Sequence, residues 1–387
     1  MRKNILIFAM IACMLFSGIA WGQEVSSRAL LNYDIDEWGI LALHSAGEDM
    51  EGLALESVDS SGITTDHEAY MMGAMALGRD VFEETSLVAG SQMANGKFAD
   101  YTGGTGDELL NAHIWGIIAL ESAGNTSYDK EKAQEWLIDN QNEDGGFPVY
   151  IGMKESDGDL TAMAVVALDL MDLKGAEASI EKAFDFIESN NEYKETAEST
   201  AWEIIARKQT GLEIGDNLKA RLEAYRLENG SYLHLKTMSS GNYMATWHGV
   251  LAEAELERRL TVFDGLKAKN SLSDIEPKTQ GYESISRLVE DGVLLGYTDG
   301  TFRPEAPVKR GEFVKMLVFA MDKENSQAKD AEFVDMKGHW ASSYVDIAVE
   351  NELFNGVSVT KFDSESGITE VQKWFDPESG ITGAQLA

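Results

Sequence analysis

Four carboxylates in the N-terminal part of the chain share a repeating context that could support acid–base chemistry. Asp34, Glu68, Asp159 and Glu198 each lie four residues ahead of a Trp or Met that opens an apolar run (Trp38, Met72, Met163 and Trp202). Asn111 and Tyr243 hold the same place ahead of Trp115 and Trp247. Two carboxyl groups about 5–10 Å apart across a cavity, one with a raised pKa, are what glycoside hydrolysis requires, and Asp159 and Glu198 would then be acid and base. The plainer reading is that an acidic residue in a first helical turn caps the helix or complements its dipole. The remaining residue types offer little else. Cys13 is the single cysteine, and His44, His67, His113, His234, His248 and His339 form no His-x-x-x-His pair, so neither thiol chemistry, a metal site nor a cofactor is expected. His113 and His248 read as polar rim residues beside the tryptophans.

The elements that must position these carboxylates recur. In QNEDGGFPVYIGMKESDGDLTAMAVVAL (141–168) a Gly-rich turn ends in an aromatic, and polar residues then lead to an apolar run at helical period. NGKF (95–98) leads in the same way to HIWGIIAL (113–120), and ENGSY (228–232) to ATWHGVLA (245–252). Phe98 to Ala119, Phe147 to Ala167 and Tyr232 to Ala252 span 20 or 21 positions. Six apolar runs share one register, opening at Trp38, Met72, Trp115, Met163, Trp202 and Trp247 in steps of 34, 43, 48, 39 and 45 residues. Each step has room for a second helix, and amphipathic segments at 127–141, 176–190 and 216–227 supply three of them. Hairpins that cannot bury an apolar face alone must stack. Six inner and six outer helices close most simply into an α/α toroid over residues 23–266, with an open solenoid as the other solution. In a toroid the inner helices run parallel, so their N-termini gather at one mouth. The four Trp and two Met then either form a collar beneath a carboxylate rim that holds a ligand, or fill the core.

Composition bounds the setting. The chain has 387 residues, 44% hydrophobic, with only five prolines, which is a globular composition with room for more than one domain. Residues 1–22 read as a secretory signal peptide: Arg2 and Lys3, an apolar run, then Ala20-Trp21-Gly22. No later stretch is long and apolar enough to span a bilayer. The formal charge of −34 becomes −36 without Arg2 and Lys3, which disfavours nucleic acid and anionic lipid.

The turn-and-helix unit resembles the repeat of the prenyltransferase and squalene-cyclase superfamily over about residues 25–265. TDHEAYMMGAMALGRDVF, AESTAWEIIARKQTG and NYMATWHG are most similar to its non-catalytic bacterial surface toroids. Class II terpene cyclases carry Asp-x-Asp-Asp before Thr-Ala, whereas here Asp157-Gly158-Asp159-Leu160-Thr161-Ala162 lacks the third aspartate. Zinc-dependent prenyl transfer requires a cysteine, and a chain starting near Gln23 has none.

After a polar joint at 267–271 the pattern changes. A helix is expected from about Tyr282 to Leu294, then a turn at Gly296 and Asp299-Gly300, and a second helix from near Lys309. This stretch resembles the S-layer homology motif: Asp274-Ile275 is its entry, Gly296 to Pro304 its Gly-Tyr-x-Asp-Gly-x-Phe-x-Pro loop, and Lys309-Arg310-Gly311-Glu312 its Thr-Arg-Ala-Glu signature. One copy covers 272–322. A second, divergent and incomplete, covers 333–387, with Trp340 where the first has Gln280 and with its signature in tandem as FDSESGIT (362–369) and FDPESGIT (375–382). The resemblance implies noncovalent docking on a pyruvylated secondary cell-wall polysaccharide, with Arg310 holding the ketal carboxylate and Asp274, Gly296, Tyr297, Asp335 and Trp340 shaping the site. The whole then reads as an exported bacterial cell-wall or S-layer protein, an all-α chain whose toroid is structural or binds a small molecule or glycan. The rival is a wall-anchored glycan enzyme, or a cyclase-like one, using the mouth carboxylates.

Overall fold

A computed structural model describes residues 21–58, 61–189, 195–329, 333–353, 357–362 and 369–381. The expected leader therefore lies outside the described residues except for Trp21 and Gly22, which begin the first helix. The chain divides into two compact units between Ser271 and Leu272.

The N-terminal unit contains α1 (Trp21–Leu30), α2 (Glu37–Ser45), α3 (Thr64–Ala76), α4 (Phe82–Gly90), α5 (Asn111–Ser122) and α6 (Lys130–Asp139). It continues with α7 (Gly158–Leu170), α8 (Glu177–Ser189), α9 (Ala197–Gln209), α10 (Asp216–Glu223), α11 (Tyr243–Glu257) and α12 (Val262–Asn270). Helices α2, α3, α5, α7, α9 and α11 pack each on the next, and α11 returns to α2, closing an α/α toroid. Every residue of α5 after Asn111 is buried, as a helix in the middle of such a ring requires. Outer helices are two-faced: α8 buries Ala183, Phe184, Phe186 and Ile187.

The six-hairpin expectation needs correction. Five outer helices stand among the described residues: α1, α4, α6, α8 and α10. Between α2 and α3 there is a loop instead, which lays Leu53 and Leu55 against the core. That step is the shortest of the series. The N-terminal helix α1 takes the slot between α11 and α2.

The recurrent turns lock neighbouring pairs together. Phe98, Phe147 and Tyr232 are fully buried, and their N–H groups donate to His113 Nδ1 (3.1 Å), Thr161 Oγ1 (2.8 Å) and Thr246 Oγ1 (3.0 Å) on the following inner helix. Gly116 and Gly249 sit under the Phe98 and Tyr232 rings, where a Cβ would overlap the aromatic carbons. Within the turns, Gly96, Gly145 and Gly230 have φ of 99°, 89° and 86°, and a Cβ at each would strike the backbone carbonyl of Lys132 on α6, Lys182 on α8 and Val25 on α1. The third of these contacts joins the last turn to the first helix.

Residues 267–271, expected to be a polar joint, instead belong to the end of α12, which crosses the C-terminal ends of the inner helices. Lys267 Nζ donates to Leu170 O (2.6 Å), Lys269 Nζ to Met75 O (2.9 Å) and Asn270 Nδ2 to Ser122 O (3.0 Å). Lys269 is only 5% exposed. These groups add bonds to carbonyls of the last helical turns, and the cations suit the negative ends of the dipoles. Glu255 of α11 accepts the Val262 N–H (2.8 Å) at the start of α12, and burial raises its pKa from 4.5 to about 7 despite Arg258 and Lys208 nearby.

The C-terminal unit holds α13 (Tyr282–Glu290), α14 (Arg310–Ala320), α15 (Ser342–Glu350), β1 (Val357–Phe362) and β2 (Thr369–Trp374). It is not purely helical, because β1 and β2 pair antiparallel with Val357 opposite Trp374 and Phe362 opposite Thr369. The first tandem signature thus runs from the last residue of β1 to the first of β2, and its interior lies outside the described residues. Helix α13 is shorter than expected, ending at Glu290.

Two changes in stability are expected. Gly230→Ala combines a left-handed backbone with a clash on α1 and should cost about 2–4 kcal/mol, whereas Gly152→Ala, with φ of 81° but open space around it, should cost about 1 kcal/mol, both read from denaturant midpoints. The raised pKa of Glu255 means the folded state holds a proton that the unfolded chain releases. Its contribution is therefore full below about pH 4.5 and is lost as pH rises through about 7. Melting temperatures at pH 5 and pH 8 should differ less in Glu255→Gln than in the parent.

Candidate functional site

In the C-terminal unit the motif carboxylates clamp loops. Asp274 accepts the N–H groups of Phe302 (2.6 Å) and Arg303 (2.7 Å), and Asp335 accepts those of Phe375 (2.9 Å) and Asp376 (2.6 Å). Arg303 and Asp376 both have φ of 61°, so the two loops are equivalent: Phe302-Arg303-Pro304 and Phe375-Asp376-Pro377. The second tandem signature, and not the first, therefore supplies the loop that Asp335 holds. Gly296, with φ of 65°, packs against Leu272 and the Thr301 carbonyl, while Tyr297 N–H donates to Thr301 O (2.7 Å).

Arg310 does not have the place expected of it. It is 4% exposed, its Nε donates to Phe375 O (2.8 Å), and its guanidinium lies 4.9 Å from the centre of the Phe375 ring. Backbone bonds reinforce the junction: Arg310 N to Ser379 O and Gly311 N to Pro377 O, each 2.9 Å, and Ile381 N to Val308 O (3.0 Å). Its side chain is a strut between the two copies, and a wall sugar could not reach it without opening that junction.

A cleft of about 230 Å³ lies beside this junction. Its lining includes Leu294, Gly296, Tyr297, Phe302, Arg303 and Val308 from the first copy's loop, Glu312, Lys315 and Met316 from α14, and Trp340 from the second copy. Tyr297 is 40% exposed and Trp340 51%. The Arg303 guanidinium stacks 4.0 Å over the Tyr297 ring and its Nη2 meets Asp299 (2.6 Å). Lys315 Nζ lies 5.6 Å from the Phe319 ring and 5.9 Å from Tyr344. Lys309 pairs with Glu378, which also accepts from His339 (3.0 Å). Two cations, one of them stacked on Tyr297, and the exposed Trp340 on an apolar floor can hold a sugar ring that carries a carboxylate. Of the expected residues, Gly296, Tyr297 and Trp340 meet at this cleft, while Asp274, Asp335 and Arg310 support it from behind. Arg303 and Lys315 were missed, and the left-handed turn at Arg303 that aims its side chain has no signature at a non-glycine position.

In the N-terminal unit the starting ends of the inner helices converge. Ring centres lie 4.4 Å apart for Trp38 and Trp115, 5.8 Å for Trp38 and Trp247, and 5.8 Å for Trp115 and Trp202, and Phe263 of α12 approaches Trp115 at 6.4 Å. Met72 and Met163 are buried in the same core. At this level the axis is occupied by the protein's own side chains.

The carboxylates divide by role. Asp34 is exposed ahead of α2, and the cap is Asp36, which accepts from Trp38 N (3.0 Å), Gly39 N (3.1 Å) and the Tyr243 hydroxyl. Asp157 and Thr196 cap α7 and α9 through Leu160 N (2.9 Å) and Ser199 N (3.1 Å), so Asp159 and Glu198 are first-turn residues that do not cap. Burial raises Asp159 to about 6, the Ser199 hydroxyl opposes this, and the charges of Asp157 and Glu198 add to it. Glu198 Oε2 meets His234 Nδ1 at 2.9 Å. Asp159 Oδ1 and Glu198 Oε1 are enclosed and lack partners among the described residues. Glu68 is fully buried with neither oxygen partnered among the described residues, and desolvation pushes its pKa well above the usual carboxylate value, against the pull of Lys97. His113 and His248 are not rim residues. Both are buried, and desolvation lowers each to about 3. His113 donates from Nε2 to Ala133 O (3.0 Å) while accepting from Phe98, and His248 stacks on Trp247 at 3.4 Å. No group that could hold a metal ion occurs among the described residues, and no helix there is long and apolar enough to cross a membrane.

Residues 271–314 and 332–387 match the S-layer homology domain family. The chain is 30% identical over 130 residues to the surface-layer 125 kDa protein of Lysinibacillus sphaericus, covering 33% of this chain and 10% of that protein. It is 37% identical over 95 residues to the cellulosome-anchoring protein of Acetivibrio thermocellus, covering 24% and 20%, and 35% identical over 81 residues to an uncharacterized cell wall amidase of Bacillus anthracis, covering 21% and 14%. The chain thus spans a fifth or less of the length of these relatives. Among solved structures, Candida albicans protein geranylgeranyltransferase-I complexed with GGPP aligns over 74% of this chain and 91% of its own, with 10% identity and a TM-score of 0.39. With the paired loop clamps and the match over both copies, residues 271–387 carry an S-layer homology domain, and the protein is a cell-surface one associated with the cell wall.

Proposed function

We propose that this protein anchors itself noncovalently to a carboxylate-bearing cell-wall polysaccharide through the cleft of its C-terminal unit, and that the toroid is a displayed, non-catalytic binding unit. The carrying observation is that Trp340 from one copy and the Tyr297–Arg303 stack of the other line the same cleft of about 230 Å³. Aromatic faces suit the apolar side of a sugar, Arg303 and Lys315 supply charge for a ketal carboxylate, and Arg310 keeps the two copies in register. For the toroid, the axis filled by its own indoles supports display over chemistry.

Trp340→Ala and Arg303→Ala should each reduce pelleting with purified cell walls by about ten- to a hundredfold in apparent affinity while leaving the melting curve unchanged. Unchanged pelleting of both would remove the cleft from the proposal. Arg310→Ala should instead lower the stability of the module by about 1–3 kcal/mol, because it removes a buried hydrogen bond to Phe375 O and the guanidinium's contact with the Phe375 ring. Incubation of the purified protein with wall polysaccharide should release no reducing sugar; release that vanishes in Asp159→Asn would replace the display reading with an enzymatic one.

A further inference from the structure

The open end of the toroid carries a second surface feature that wall anchoring does not use. The loops that come after the buried turn aromatics cross to the starting end of an inner helix: Tyr101 bridges Ile63 ahead of α3, Tyr150 bridges Leu109 ahead of α5, and Leu235 bridges Thr196 ahead of α9. On these loops and the first turns beside them, Ile63, Tyr101, Tyr150, Met153, Met238 and Met244 are exposed large apolar residues. All six therefore lie at the end of the ring where the inner helices start. The opposite end is closed by α12.

Charge tells what such a rim would accept. Among the described residues, exposed carboxylates of the same loops include Asp34, Asp66, Asp107, Glu108 and Glu155, against the exposed lysines Lys154 and Lys236, and the latter is stacked on Tyr225 at 4.7 Å. Lys97, also of these loops, is buried and bound to Asp100 at 2.7 Å. Thioether and isoleucine side chains offer nothing for a sugar's hydroxyl groups to bond, but they adapt readily to the side chains of a protein segment. An anionic ligand would meet like charge.

We infer that the N-terminal mouth of the toroid docks a cationic, amphipathic segment of a partner protein, its apolar side chains on the tyrosine and methionine rim and its lysines or arginines facing the carboxylates. The inference rests on the toroid being a displayed binding unit. It is independent of the wall cleft, so loss of one leaves the other measurable.

The test uses the full chain, a short amphipathic lysine/leucine peptide, its glutamate/leucine counterpart and an uncharged oligosaccharide, with binding measured by calorimetry. The lysine peptide should bind at least about tenfold more tightly than the glutamate peptide, and the oligosaccharide should not compete. Because a protein of formal charge −34 attracts any basic peptide, the deciding variant leaves the charge alone. Tyr101→Ser/Tyr150→Ser/Met244→Ser should weaken the lysine peptide by about tenfold or more with wall pelleting intact. Phe82→Ser, 73% exposed at the start of α4 and hence at the other end of the ring, should bind as the parent does. Met238→Ser/Met244→Ser, confined to one loop region, gives the same reading should the triple variant melt early. Equal binding by parent and rim variants, no binding of the lysine peptide, or displacement by the oligosaccharide would overturn the inference.

Discussion

Ring closure is the constraint on which the N-terminal unit depends. Its inner helices are apolar around most of their circumference, as α5 shows, and such a helix is stable in water only when protein covers it on all sides. No single hairpin provides that cover. The last turn must meet the first helix, and Gly230 lying against Val25 of α1 is where it does so. The same contact is made at Gly96 and Gly145 between neighbours within the chain, so closure reuses the interface of the repeat.

Parallel inner helices give the ring two electrically different ends. The aligned dipoles leave unpaired N–H groups and positive potential at one end, unpaired carbonyls and negative potential at the other. Asp36, Asp157, Thr196 and Asn242 answer the first, and Lys267, Lys269 and Asn270 answer the second. The lysine-bearing helix α12 also closes that end. The end where the helices start has no such crossing helix among the described residues of this unit.

The C-terminal unit reaches its geometry differently, by two copies of one motif clasping each other. Asp274 and Asp335 do the same work, holding a left-handed loop residue by two backbone donors. Arg310 then reaches from the first copy to the carbonyl and ring of Phe375 in the second. The charged residues that define the motif, Asp274, Asp335 and Arg310, are therefore occupied in holding the fold, while its Gly296, Tyr297 and Trp340 line the cleft beside Arg303 and Lys315.

Features set by local periodicity and backbone chemistry were legible in the order of residues alone. Apolar phase assigned the six inner helices and brought Trp38, Trp115, Trp202 and Trp247 to a common axis, because a helix's period fixes which face each side chain takes. Turn glycines marked the places where the chain must adopt positive φ. Roles that depend on a partner distant in the chain emerged only in the folded molecule. Folding moved the α2 cap from Asp34 to Asp36, buried His113 and His248, made residues 267–271 part of the helix that closes one end, left one outer slot to a loop, and set Arg310 inside a junction with Arg303 and Lys315 at the cleft. The physical reason is common to all of these: whether a polar side chain caps, plugs or faces solvent depends on which polar group lies within its reach, and for Lys269 and Arg310 those groups are the carbonyls of Met75 and Phe375, remote in sequence.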